Sequence, residues 1–378
     1  MIVKRLHFYM LLLGSVLFAQ ENTALIGSLP TAVHETSGLL FFNDHLITHN
    51  DSGNSPQLFE IDTLSLEIKR MVTVVGANNM DWEDLAQDDD YIYIGDFGNF
   101  EGGRQDLVIY RVSKPDYRSS DMVVAERIDF SYPDQPNGTN SSGGDWDAEA
   151  LFVLGNNLII LTKQWQTMET VAYSVPKVPG NQVAVNLGSY PVGGLVTGAS
   201  YHEASKNLVL LGYSQQLSPF IFQFNDITAT DIFANPEEKR NLNILIAQME
   251  GITHVSENTL FASAELFEND SPRITLPPQL FSITAPSKPT EEENPEGDIE
   301  GELVLYRNEG SKILQYELNT SETLFGRAVF DTAGKRIRFT HANAIEEHSI
   351  DLSTLAPSIY YLTFYLRSGI VSKPFLLN

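Results

Sequence analysis

The chain has 378 residues, with 49 acids against 24 bases for a formal charge of −25, and it contains no cysteine. Phosphate recognition needs Lys and Arg in excess, so this balance argues against nucleic-acid binding. The missing thiols exclude disulfides, thiolate metal sites and a lipid-modified cysteine.

Residues 1–20 place Lys4 and Arg5 before an apolar run through Met10 to Phe18, with Ala19 as a small residue for cleavage. This is the layout of a secretory signal peptide. The run is shorter than the roughly 20 residues of a spanning helix, which makes a retained anchor the lesser alternative. No later stretch reads as a transmembrane segment, and secretion or display at the outer cell surface after periplasmic export is expected.

Residues 21–284 repeat one design. A short strand opens near Glu35, Glu83, Glu149, Thr197 and Glu250, then turns into a second strand at His45, Tyr91, Leu158, Leu208 and Leu260. Third strands follow as PQLFEID, DLVIYRV, ETVAYSV, PFIFQF and PQLFSI. The openings are 48, 66, 48 and 53 residues apart, the longest interval containing the Gly-, Asn- and Ser-rich loop Pro133 to Gly144. Several strands per unit at a period near 50 is how propeller blades read. The expected fold is all-β: a β-propeller of five blades, six being possible, with the single strand Thr23–Leu29 completing the fifth. A β-sandwich with extra strands is the alternative.

Residues 285–302, APSKPTEEENPEGDIEGE, lack a β-branched or aromatic cluster and read as an acidic linker. Residues 303–378 alternate again and predict a small C-terminal β-sandwich. Here Asp331, Gly334 and Lys335, then Ser353, Leu355 and Tyr360, then Lys373 form a pattern that resembles the C-terminal sorting domain of the type IX secretion system. Ser358 replaces the usual Gly, and the early Asn-Pro is missing. The resemblance implies the type IX machinery of a Bacteroidetes-type bacterium as a partner, and says nothing about the cargo.

In a propeller the first strands line the axis, so Glu35, Glu83, Glu149 and Glu250 are expected to ring one mouth. The second-strand ends Asp51, Asp96, Lys163, Tyr213 and Glu265, which lie 13 to 16 residues after the openings, are expected around them. Converging carboxylates raise one another's pKa unless a cation intervenes, and oxygen ligands without Cys suit Ca²⁺ or Mg²⁺. The acids could equally cap strand ends and hold blades together. Arg104 and Lys163 are the cations placed to neutralise this face, to hold an anionic ligand or to pair with the acids. His34, His49 and His254 could serve as general bases or as packing residues. Trp82, Trp146 and Trp165 look exposed at the same edge, to stack on a sugar or wedge between blades.

Nucleophile-elbow, phosphate-loop, dinucleotide and zincin signatures are missing. The stretches Asp81-Trp82-Glu83-Asp84-Leu85-Ala86, Gly95 to Asn99, Glu149-Ala150-Leu151 and Thr162-Lys163 resemble a set of secreted bacterial propellers of poorly defined function. More loosely the chain is similar to esterase-like phytase and calcium-activated nucleotidase propellers, which implies cation-assisted phosphoester hydrolysis. Two readings stand. In one, a divalent cation at the acidic mouth serves binding or hydrolysis of a polar or phosphorylated ligand, with Glu83 or Glu149 as base and Lys163 or Arg104 on the leaving oxygen. In the other, the module is a non-catalytic adhesion or glycan-binding propeller whose acids are structural.

Overall fold

A computed structural model describes residues 23–136, 142–242, 244, 246–270, 273–284, 302–307, 311–320, 322–331, 336–345, 347–366 and 369–377. The expected signal peptide, nearly all of the acidic linker, and Gly334 and Lys335 of the sorting pattern lie outside them. The described chain is all-β, with many separate sheets.

Five sheets of four or five strands follow one another. Their first strands are Thr36–Phe42, Trp82–Gln87, Ala148–Leu154, Leu195–His202 and Met249–Ser256. Each folds back antiparallel onto the next strand in sequence. These five inner strands lie side by side in chain order, and the fifth also lies against the first. Thr23–Ser28 pairs antiparallel with Gln279–Thr284 as the outermost strand of the fifth sheet, Thr23 opposite Ile283. Two outer edges borrow a strand from further along the chain: Met122–Val124 runs parallel to Ile68–Val75, and Gly180–Val183 runs parallel to Glu126–Ser131.

The second strands are nearly continuous apolar runs, for example Asn157–Thr162 and Asn207–Tyr213, where only the first residue is not fully buried. A strand with one wet face would alternate; burial on both faces removes the alternation. Successive sheets do cover one another. Ile47, Leu58 and Val72 pack with Trp82, Ile94 and Tyr110 between the first and second sheets, and Val209 and Leu211 pack with Leu260 and Phe281 between the fourth and fifth. Full burial of each such side chain contributes about 1.5–3 kcal/mol. An isolated hairpin is marginal in water, so stability resides in the contacts between sheets.

Each inner strand carries one bulge near its start, where the register jumps at Gly38, Glu83, Glu149, Thr197 and Glu250. A bulge leaves one residue unpaired and re-aims its side chain. At Gly38 the bulge takes φ +57°, and a Cβ there would lie 2.7 Å from His49 Nε2 and 2.9 Å from the Leu85 backbone nitrogen. Gly38→Ala is therefore expected to cost about 1–3 kcal/mol, read as a lower urea midpoint at unchanged m-value.

Just past the second bulge, Asp84 is fully buried where the inner strands meet. Its Oδ1 accepts the Leu85 N–H at 2.7 Å and its Oδ2 the Leu151 N–H at 2.8 Å, while the Ala199 N–H bonds the same carboxylate. One side chain thus ties together the second, third and fourth sheets.

Residues 302–377 form two further sheets, one of three strands and one of four. They share a core that includes Leu314, Tyr316, Leu362 and Phe364. Lys373 Nζ donates to the Leu303 carbonyl at 3.0 Å, and Tyr360 Oη to the Ala356 carbonyl at 2.9 Å. Ala328, Phe330 and Tyr365 pack against Ile26, Leu39 and Phe59 of the larger body.

Candidate functional site

The bulges place acids at one end of the inner strands. Glu83, Glu149 and Glu250 occupy three of the five bulge positions, and all three are buried, with exposures of 7%, 5% and 6%. Asp51, Asp81 and Glu83 each offer a carboxylate oxygen, and these three oxygens lie within 4.8 Å of one another. Asp51 and Asp81 are the more accessible members, so the trio opens to solvent on their side. Gly98 makes the approach possible: a Cβ there would sit 2.0 Å from Glu83 Oε1 and 2.5 Å from Asp81 Oδ2. Among the described residues, no hydrogen bond reaches the Glu83 carboxylate.

Beside the trio, Lys163 Nζ donates to Glu149 Oε1 at 3.1 Å and stands over the Trp165 and Tyr213 rings, 4.8 and 5.3 Å from their centres. Tyr213 Oη donates to Glu250 Oε1 at 3.3 Å, and Glu250 Oε2 is buried without a partner. Asp147 accepts the Asn99 N–H and the Trp165 Nε1–H, both at 2.7 Å. Arg104 pairs with Asp96 at 3.0 Å and with Asp106 at 3.2 Å, and donates to the Gly98 carbonyl.

The arrangement differs from the expected ring in register. Matching backbone bonds, Asp51 N–H to the Glu35 carbonyl, Phe97 N–H to Asp81, Lys163 N–H to Asp147 and Glu265 N–H to Gln248, align Glu35 with Asp81 and Asp147. Glu35 is therefore not a member of the bulge set; Gly38 holds that position. Its carboxylate is about half exposed and accepts the Asn54 amide at 2.5 Å. In the second sheet Phe97, not Asp96, corresponds to Lys163 and Glu265, and Asp96 is held by Arg104 and by the Asp81 N–H. Trp82 is not exposed: it is fully buried against His49 and Tyr110, its Nε1 donating to the Asn78 carbonyl at 2.8 Å. His49 is fully buried too. His254 lies towards the opposite end of its strand, away from the acids. Asp81, Asp84 and Asp147 were missed, although the repeated Asp-x-Glu of Asp81-Trp82-Glu83 and Asp147-Ala148-Glu149 was a visible signal.

No family model and no curated protein matches the chain. Solved structures that align with it include a hydrazine synthase from Kuenenia stuttgartiensis, at 12% identity over 88% of this chain and 74% of that one, with a TM-score of 0.32. Another is a putative oxidoreductase (glucose dehydrogenase) from Thermus thermophilus, at 9% identity over 69% of this chain and 99% of that one, with a TM-score of 0.36. At such scores neither bears on the fold or the chemistry of this chain, which rest on its own residues.

Electrostatically the cluster is under tension. Burial, then the Glu149, Asp51, Asp81 and Asp147 charges, push Glu83 well above the usual carboxylate range. Burial and Asp51 push Asp81 up to about 7, against the pull of Arg104. Burial lifts Asp51 to about 6, opposed by the Ser52 N–H, and burial with Asp51 lifts Glu265 to about 8. Lys163 is pulled down by its own burial, but Glu149, Tyr213 and Glu250 outweigh this and keep it charged. Such a site can hold protons at neutral pH or exchange them for a cation.

Proposed function

We propose that the five sheets form a five-bladed β-propeller and that Asp51, Asp81 and Glu83 bind a divalent cation at its acidic mouth, in a protein exported through the type IX route. The observation that carries the cation is the trio of oxygens within 4.8 Å, since ligands on opposite sides of one Ca²⁺ at roughly 2.3–2.6 Å are about that far apart. The donor set is oxygen only, which fits Ca²⁺ or Mg²⁺.

A cation held there supplies Lewis-acid polarisation of a ligand oxygen. Lys163, beside the trio, orients an anionic group on that ligand. Glu83 is the proton acceptor in a hydrolytic reading, because Glu149 is engaged by Lys163. Arg104 is removed from the leaving-oxygen role by its contacts with Asp96, Asp106 and Gly98. A polar, phosphorylated ligand is the class this favours. The non-catalytic reading is supported by the Asp147 and Asp96 carboxylates, which serve as structural acceptors.

The test is a thermal-shift titration of the purified chain with Ca²⁺, Mg²⁺ and EDTA. A hundredfold excess over Kd adds about 2.7 kcal/mol, several degrees in Tm, and Glu83→Gln is expected to abolish the gain. No response to either ion sinks the proposal. Turnover of p-nitrophenyl phosphate, compared between the native chain and Glu83→Gln, separates hydrolysis from binding.

The pH dependence has a definite sign. Asp51, Asp81 and Glu265 titrate near 6, 7 and 8 when folded and near 4 when unfolded, so between those limits the native state binds more protons. The stability that these three carboxyls contribute to the metal-free chain is therefore fully present below about pH 4 and is lost as pH rises to about 8. The Tm difference between Ca²⁺ and EDTA samples should widen from about pH 5 to about pH 8.5; a constant difference contradicts the coupling.

A further inference from the structure

The opposite end of the inner strands holds a cavity of about 200 Å³ lined by Gln87, Ser200, Tyr201, His202, Glu203, Thr253 and His254 among apolar neighbours. None of these residues belongs to the acidic cluster, and Asp84 lies between the two ends of the strands.

The hydrogen bonds engage the Nδ1 of both imidazoles. Ser200 Oγ accepts the His254 N–H at 2.9 Å and stands 2.7 Å from His254 Nδ1. The hydroxyl and Nδ1 thus satisfy one another and leave Nε2 as the free nitrogen of the His254 ring. His254 Nε2 is buried and has no partner. His202 Nδ1 accepts the Ser205 N–H at 3.4 Å and lies 2.8 Å from Ser205 Oγ. The two rings are 5.4 Å apart. Thr253 Oγ1 accepts the Phe41 N–H, leaving its own proton to donate, and Gln87 Nε2 donates to the Phe41 carbonyl, leaving Oε1 to accept. Tyr201 and Phe152 add an aromatic wall, their rings 5.9 Å apart.

A buried ring nitrogen left unpaired is costly whether it donates or accepts, so a hydroxyl-bearing occupant is favoured. A metal ion is not, because among the described residues His202, His254 and Glu203 do not bring three ligand atoms within 4.8 Å of one another. An anion is not favoured either: the hairpin turns at this end carry Asp44, Asp88, Asp89, Asp90, Glu203 and Glu257 against Lys114, Lys177 and Lys206. Alternating donors and acceptors beside aromatic rings match hydroxyl groups, each of which both donates and accepts. The volume is below the roughly 300–1,000 Å³ of sites for drug-sized ligands, which restricts the occupant to about one ring.

We propose that this cavity binds a neutral polyhydroxylated ligand, a single sugar unit, through His202, His254, Thr253 and Gln87. The site is separate from the cation site and does not depend on it. The test is calorimetry and thermal shift on the full chain with D-glucose, D-galactose, D-mannose and N-acetylglucosamine in the millimolar range, with sodium acetate and ZnCl₂ as contrasts. At least one sugar should bind, and His254→Ala and the half-buried His202→Ala should each weaken it about tenfold or more, while Glu83→Gln leaves it unchanged. Far-UV circular dichroism verifies that each variant is folded. The proposal is overturned by the absence of any sugar response, by a response to acetate or Zn²⁺ alone, or by sugar binding that survives both histidine substitutions or disappears in Glu83→Gln.

Discussion

Asp84→Ala is expected to lower the unfolding free energy by about 4 kcal/mol. The carboxyl accepts backbone N–H groups from its own strand and from two neighbouring sheets; burial pushes its pKa well above the usual carboxylate range despite them, and hydrogen bonds of this kind contribute about 0.5–1.5 kcal/mol each. Truncation also strands those N–H groups in a dry centre, where each costs about 1–3 kcal/mol unless water enters. Asp84→Asn keeps one acceptor oxygen but turns an NH₂ towards N–H donors, so it is expected to fall between the two. Urea unfolding followed by tryptophan fluorescence reads the effect directly, since Trp82 is fully buried two residues away. A loss under about 1 kcal/mol for Asp84→Ala would show that the three sheets do not depend on this carboxylate.

Lys163→Met is the second large effect, with a stability loss of about 3–5 kcal/mol in EDTA, because it leaves Glu149 buried beside Asp147 and Glu250. Two further measurements separate charge from packing. Lys163→Met/Glu149→Gln should recover most of the loss, since the pair is then removed together. Calcium should raise the Tm of Lys163→Met by more than it raises that of the native chain, because the substitution removes a positive charge that acts on Asp51 and leaves Glu149 free to exchange a proton for the cation. Equal calcium shifts would mean that Glu149 does not feel the cation.

The repeat was legible because each unit spells its strands in apolar, β-branched and aromatic residues, and because a period near 50 survives loops of unequal length. Pairing of Thr23–Ser28 with the last strand of the fifth sheet followed from counting three strands there and one left over. Register was less legible. The Glu35 assignment slipped by three residues and the Asp96 assignment by one because they were aligned on the nearest acid, whereas the bulge sets the spatial order and in the first sheet is occupied by Gly38. The same bulge decides which way Trp82 points, so its burial could not be read from alternation. Asp84 was invisible for a different reason: its partners Leu151 and Ala199 are remote in sequence, and only the assembled centre brings their N–H groups to one carboxylate.

The pairing of Thr23–Ser28 with Gln279–Thr284 also sets a timetable. A chain emerging from the ribosome makes the first of these strands ahead of all five first strands and must keep it unpaired until every one of the five sheets has been synthesised. Contacts of such long sequence separation form slowly. Until they form, the Gln279–Thr284 edge is open to the early strand of any neighbouring copy, so nascent chains at high concentration face a choice between closing on themselves and exchanging strands with each other.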